Sequence, residues 1–236
     1  MCSTMKKIGL IGGMSWESSA LYYQLINEQV RDRLGGLHSA PCVMTSVDFA
    51  EIEQMQSSGQ WDVAGELLAR EARALQGAGA EVVVLCTNTM HKVAGHIEDA
   101  IDVPFLHVVD VTADVILATG VSKVLLLGTR FTMEEPFYRE RMETQGVEVI
   151  VPDDSDRALV NSVIYDELVR GRVNDSSRRA FREIIVAGVE AGAEGVILGC
   201  TEIELLVGPS DAQIPVFAST TLHATAAVDT ALAGRS

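Results

Sequence analysis

Three observations predict an α/β fold of two pseudo-symmetric lobes, each a parallel sheet flanked by helices. Short aliphatic runs alternate along the chain with longer segments of helical periodicity. The runs are unbroken by polar residues, as strands covered on both faces must be, which argues for parallel sheets with crossover helices. The second half of the chain also repeats the order of the first.

Lys7-Ile8-Gly9-Leu10-Ile11 reads as the first strand, stopped by Gly12-Gly13. Trp16, Ala20, Tyr23, Ile26, Val30 and Leu34 follow at spacings of three and four, with Ser15 as N-cap and Gly35 as stop. Cys42 to Asp48 reads as a strand, Trp61 to Gln76 as a helix with Ala64, Leu67, Leu68 and Leu75 on one face, and Glu81 to Leu85 as a buried strand. In the second half, Ser122 to Thr129 resembles the first strand, and Phe181, Ile184, Ile185 and Val189 mark a helix leading into Gly192-Ala193-Glu194 and a further aliphatic strand. Lys7 registers on Lys123 at an offset of 116, Gly79-Ala80-Glu81 on Gly192-Ala193-Glu194 at 113, and Pro104 on Pro215 at 111. Glycine-bounded aliphatic runs occur in any α/β protein, and that is the competing explanation. The offsets nevertheless keep their order and drift by a loop-sized step, which favours duplication. The lobes are placed at 5–102 plus 214–236 and at 103–213, with strand C-termini facing each other across a cleft that would hold the ligand.

A formal charge of −15 repels phosphate backbones and anionic bilayers, so neither nucleic acid nor membrane is an expected partner. At 47% hydrophobic the chain is too apolar for disorder, yet no apolar run approaches the roughly 18 residues of a membrane span. Met1-Cys2-Ser3-Thr4 leads into a strand rather than a signal sequence, and the expected location is cytoplasmic. Cys2, Cys42, Cys86 and Cys200 are scattered, without a C-x-x-C pair.

Four strand ends are rich in small polar groups: Gly12-Gly13-Met14-Ser15, Thr87-Asn88-Thr89, Gly128-Thr129-Arg130-Phe131-Thr132 and Cys200-Thr201-Glu202. Backbone N–H groups at such ends attract anions, and Thr and Asn add directed hydrogen bonds, so a small carboxylic or amino acid is the expected ligand. Cys200, at the start of a helix, would have its thiol pKa pulled below about 8.5. The competing fate is a buried, inert thiol, which fits Cys86 better than Cys200.

Gly12-Gly13-Met14-Ser15-Trp16-Glu17-Ser18, Thr87-Asn88-Thr89-Met90-His91-Lys92, Leu127-Gly128-Thr129-Arg130-Phe131-Thr132-Met133 and Gly199-Cys200-Thr201-Glu202-Ile203, in that order, resemble the aspartate/glutamate racemase family. The match is closest to its L-aspartate/glutamate-specific subgroup and runs from Met5 to about Ala226. The resemblance implies two α/β lobes, an active site between them, a homodimer, and inversion of an acidic amino acid at its α-carbon without a cofactor or metal. Most of the family carries cysteines at both catalytic positions; here Thr87 stands at the first, and Cys86 lies one residue early, on the other face of the strand. Cys200 is then the expected thiolate base and Thr87 its unequal partner, with L-enantiomers favoured. The substrate-binding positions implied are Met14, Ser15, Gln56, Asn88, Thr89, Thr129, Thr132, Thr201 and Glu202. Gln56 also reads as a solvent-facing loop residue. Arg130 and Arg170 are the nearest cations for a side-chain carboxylate.

Other functions compete. A single-cysteine decarboxylase or isomerase of a small diacid would use the same thiol, and a non-catalytic amino-acid-binding protein would use none. No G-x-G-x-x-G or P-loop occurs. Cys86, His91 and His96 are spaced five apart, which does not gather them on one helical face for zinc. Of four lysines, Lys6, Lys7 and Lys123 stand at strand starts, which leaves Lys92 alone for a Schiff base. His91 reads as a cap or packing residue of its loop.

Overall fold

The unbroken aliphatic runs form two four-stranded parallel sheets in this computed structural model, which describes residues 5–233. Cys2 lies outside the described residues. The chain divides into two compact units, residues up to His107 with those from His223 onward, and Val108–Leu222.

In the first unit the order is β1 (Ile8–Gly12), α1 (Trp16–Leu34), β2 (Cys42–Ser46), α2 (Phe49–Ser57), α3 (Trp61–Gly77) and β3 (Val82–Leu85). A 3-10 turn (Thr89–Val93), α4 (Ala94–Glu98) and β4 (Phe105–Leu106) complete it. The sheet order is β2-β1-β3-β4, with Ile8 opposite Cys42 and Val82. Alternate side chains serve opposite faces, as the strand repeat of two requires. Ile8, Leu10, Val82 and Val84 pack with Tyr22, Ile26 and Val30 of α1, whereas Ile11, Val83 and Leu85 pack with Leu68, Ala72 and Leu75 of α3. Ser15 caps α1 by accepting from Ser18 N at 3.3 Å, and Gly35 ends it with a positive φ of 73°. The β1 turn needs glycine at position 13: φ is 98°, and a Cβ would lie 2.2 Å from Val47 O.

The second unit runs α5 (Val108–Ala118), β5 (Lys123–Gly128), α6 (Arg130–Glu134), α7 (Pro136–Thr144), β6 (Glu148–Ile150), α8 (Asp154–Asp166) and α9 (Asp175–Glu190). Then come β7 (Gly195–Gly199), a 3-10 turn (Thr201–Leu205), β8 (Val216–Ala218) and the start of α10 (Ser219–Leu232). Its sheet order, β6-β5-β7-β8, reproduces that of the first unit. The duplication extends to single hydrogen bonds. Glu81 accepts from Lys7 N at 3.1 Å and Glu194 from Lys123 N at 3.2 Å, while their own N–H groups return to Lys7 O and Lys123 O, each at 2.8 Å. Gly79 and Gly192, before those glutamates, both have positive φ, 88° and 93°.

Two placements differ from the sequence reading. Boundaries at 102/103 and 213/214 fall just ahead of β4 and β8, and each of those strands pairs with the preceding sheet, β4 with β3 and β8 with β7. The segment after Asp48 is a helix rather than a loop. Asp48 leaves the predicted strand to cap α2 by accepting from Ala50 N at 3.0 Å, and Ile52 faces the core. Among the described residues no helix is long and apolar enough to cross a membrane.

Candidate active site

In the first unit the β1 end is built from reciprocal hydroxyl contacts. Gly13 N donates to Ser19 Oγ at 2.8 Å, and Ser19 Oγ donates to Ser15 O at 2.9 Å. Ser18 Oγ donates to Cys86 O at 3.1 Å and so ties the first turn of α1 to the end of β3. Met14 is 6% exposed and packs with Ile52 and Met90, so it lies in the core rather than on an open rim.

Beyond β3, Cys86 is fully buried, and burial pushes its thiol far above the ordinary range. Cys42 is pushed up to about 11 by the same cause. Thr87 is half-buried, and among the described residues its hydrogen bonds are all main-chain ones. Asn88 and Thr89, on the turn, are buried. Gln56 is not solvent-facing: at 7% exposed on α2, its amide donates to Met90 Sδ at 2.9 Å. The helix that sequence periodicity missed brings it there.

In the second unit the ends of β5 and β7 lie side by side, with Gly128 opposite Gly199. Thr129 caps α6 by accepting from Thr132 N at 3.3 Å, and the two hydroxyls are 3.2 Å apart. Thr201 Oγ1 is 3.0 Å from Thr220 Oγ1. Arg130 is exposed, and Arg170, also exposed, stands 3.9 Å from Asp166.

Cys200 departs from expectation. It is 9% exposed, and Sγ donates to Glu202 Oε2 at 3.0 Å. Its thiol pKa is raised well above normal rather than lowered, by burial first, then by the Glu202 charge and hydrogen bond, with Glu204 adding to it. The helix that should have favoured a thiolate is a five-residue 3-10 turn, and two carboxylates on that turn outweigh its dipole.

Two groups support the strand ends, of which Glu204 went unrecognised in the sequence and His91 was read there as a cap or packing residue. Glu204 accepts from Thr220 N at 3.0 Å and Thr221 Oγ1 at 2.9 Å, and burial raises its pKa. His91, 3% exposed, bonds through Nδ1 to Thr87 O at 2.7 Å. The signal was spacing, since each lies four residues after Cys200 or Thr87. Among the described residues no group of three or more His, Cys, Asp or Glu side chains is arranged to hold a metal ion.

A crystal structure from Yersinia pestis, provisionally assigned as an Asp/Glu racemase, superposes with a TM-score of 0.92 at 55% identity, covering 97% of this chain and 100% of that one. An aspartate racemase homologue from Pyrococcus horikoshii OT3 gives a TM-score of 0.87 at 36% identity over 96% of this chain and 99% of its own. The broad specificity amino-acid racemase RacX of Bacillus subtilis (strain 168) is 27% identical over 69% of this chain and 70% of its own length. The family model for Asp/Glu/hydantoin racemases matches residues 11–227, from within β1 to within α10, and the chain is therefore a member of that family of isomerases.

Proposed function

We propose that the chain interconverts the enantiomers of aspartate or glutamate without a cofactor, Cys200 acting on one face of the α-carbon and Thr87 on the other. The observation that carries this reading is the Cys200–Glu202 hydrogen bond, which couples a nucleophilic thiol at a strand end to a group able to take its proton. At rest the thiol is protonated. Its proton passes to the Glu202 carboxylate, and the thiolate then removes the α-proton of the L-enantiomer, leaving the electron pair on carbon. Thr87 Oγ1 delivers its proton to the opposite face. Water reprotonates the Thr87 alkoxide, and the proton held by Glu202 returns to solvent.

Charge developing on the substrate α-carboxylate calls for fixed neutral donors, the role assigned to Ser15, Asn88 and Thr89. Thr129, Thr132 and Thr201 are assigned to the second carboxylate. Met14 and Gln56 pack against Met90 and are assigned to support of its turn.

A hydroxyl is a far weaker acid than a thiol, so the two directions are unequal. Enantiomers have equal free energies in water, which forces kcat/KM to be the same both ways. The inequality therefore shows as kcat and KM that differ together, with L turned over faster. The test is incubation of dialysed protein in D2O with L- and D-aspartate and L- and D-glutamate, followed by chiral chromatography and mass spectrometry. Inversion with one deuterium at Cα and no loss of CO2 is expected. Absence of inversion with all four substrates overturns the proposal.

A further inference from the structure

We infer that His91 is a positioning residue for Thr87: it fixes the Thr87–Asn88 peptide and thereby the direction in which the Thr87 hydroxyl is presented. The inference rests on the racemase reading above. Thr87 lies two residues beyond β3, where the ladder no longer holds its backbone. Its N–H turns back to Leu85 O at 2.8 Å. The first backbone bond of the following turn runs from His91 N to Asn88 O, 3.1 Å, one residue too late to take the Thr87 carbonyl. The His91 ring takes it instead, at 2.7 Å. A carbonyl only accepts, so Nδ1 carries the proton, and the bond survives whether or not Nε2 is protonated as well.

The ring has little room to turn. It is 3% exposed, with the His107 ring centroid 4.6 Å away edge-on and Phe105 and His223 each at 5.7 Å. His223 is itself fixed, accepting from Tyr22 OH at 2.9 Å and donating through Nε2 to Leu106 O at 2.8 Å. The peptide that bears Thr87 is thus referred back to α1, β4 and α10. Misplacement of a reacting group by about 1 Å costs about a hundredfold in rate, so a carbonyl anchor one bond from the reacting residue has leverage on the Thr87 half of the reaction.

The variants exploit side-chain geometry. In His91→Asn the amide nitrogen falls where Nδ1 lies, in His91→Gln it falls nearer Nε2, and His91→Leu has no donor. Starting from L-substrate in D2O, deuterium exchange with retention reports the Cys200 step, and inversion adds the Thr87 step. H91Q and H91L are expected to raise the exchange-to-inversion ratio about tenfold, with H91N within about twofold of wild type. Parallel loss of exchange and inversion in all three, or an unchanged ratio in H91L, overturns the inference. 15N NMR of the wild-type chain reads the same bond without turnover, and a proton on Nε2 rather than Nδ1 overturns it. A wild type inert towards all four substrates removes the racemase reading itself, an outcome distinct from a wrong tautomer.

Discussion

Glu202→Gln is expected to move thiol reactivity and turnover in opposite directions. The carboxylate oxygen stands 3.0 Å from Cys200 Sγ and disfavours the thiolate both by its charge and by accepting the thiol proton. Two unit charges about 4 Å apart at an effective dielectric of about 20 interact by about 4 kcal/mol, close to a thousandfold in an ionisation equilibrium. Glutamine keeps the volume, removes the charge and can turn an N–H towards sulfur. The thiol pKa should then fall, and the thiolate fraction at pH 7 should rise by up to about a thousandfold. Intrinsic nucleophilicity falls with a Brønsted slope of about 0.45, some twentyfold, so alkylation by iodoacetamide should be about 40-fold faster. Racemisation should meanwhile fall by about 100-fold or more, because the carboxylate that takes the proton from the thiol formed in each turnover is gone. Peptide mapping separates Cys200 from Cys2, from Cys86, which is fully buried, and from Cys42, whose thiol is held at about 11. A variant alkylated no faster than wild type, or racemising at the wild-type rate, refutes the assignment of Glu202.

The raised Cys200 thiol makes kcat/KM increase as pH rises from 7 to 9, since the thiolate fraction grows with pH; a flat profile contradicts a thiolate base. Thr87→Cys places a thiol on each side, and its kcat values from L- and D-substrate should converge to within about threefold; an undiminished wild-type inequality counts against Thr87. His223 is buried neutral, with its pKa depressed to about 4, so the unfolded chain binds its proton first. Stability is then lost as pH falls from about 6.5 to 4, by about 3 kcal/mol. Urea titrations followed by fluorescence of Trp16 and Trp61, both in the same unit as His223, should show that loss in wild type and less of it in His223→Gln; equal pH slopes refute it.

The fold was legible because its determinants are local and periodic. Val124, Leu125, Leu126 and Leu127 form an unbroken buried run, Ser15 can accept from its own helix, and Gly79 and Gly192 occupy the same left-handed turn. Helix α2 was missed because its cap, Asp48, ends an apolar stretch that passes for strand, and only a short helix of nine residues follows. The protonation state of Cys200 was misjudged for a different reason. A helix start in sequence does not reveal whether the helix is long enough to have a useful dipole, nor that the glutamates two and four residues on stand close enough to the sulfur to oppose ionisation. His223 shows the limit of local reading most plainly, since its bonds to Tyr22 and Leu106 span 201 and 117 residues.

Duplication has preserved what depends on the backbone and released what depends on the strand-end side chain. At the offset of 113 that aligns Gly79 with Gly192, Thr87 corresponds to Cys200 and His91 to Glu204. Both units therefore place an anchoring side chain four residues after the strand-end residue, but with opposite polarity. His91 donates to a carbonyl, that of Thr87, whereas Glu204 accepts from Thr220 N and Thr221 Oγ1 at the first turn of α10. The difference has an electrostatic consequence. Glu204 adds negative charge near Cys200 and helps Glu202 keep that thiol protonated at rest, while the Thr87 anchor is a ring that brings no negative charge to its hydroxyl. On the proposed roles, a group that must be ionised in turn and a group that needs only to donate have different second residues, and the asymmetry between the two halves reaches one position further than the exchange of cysteine for threonine.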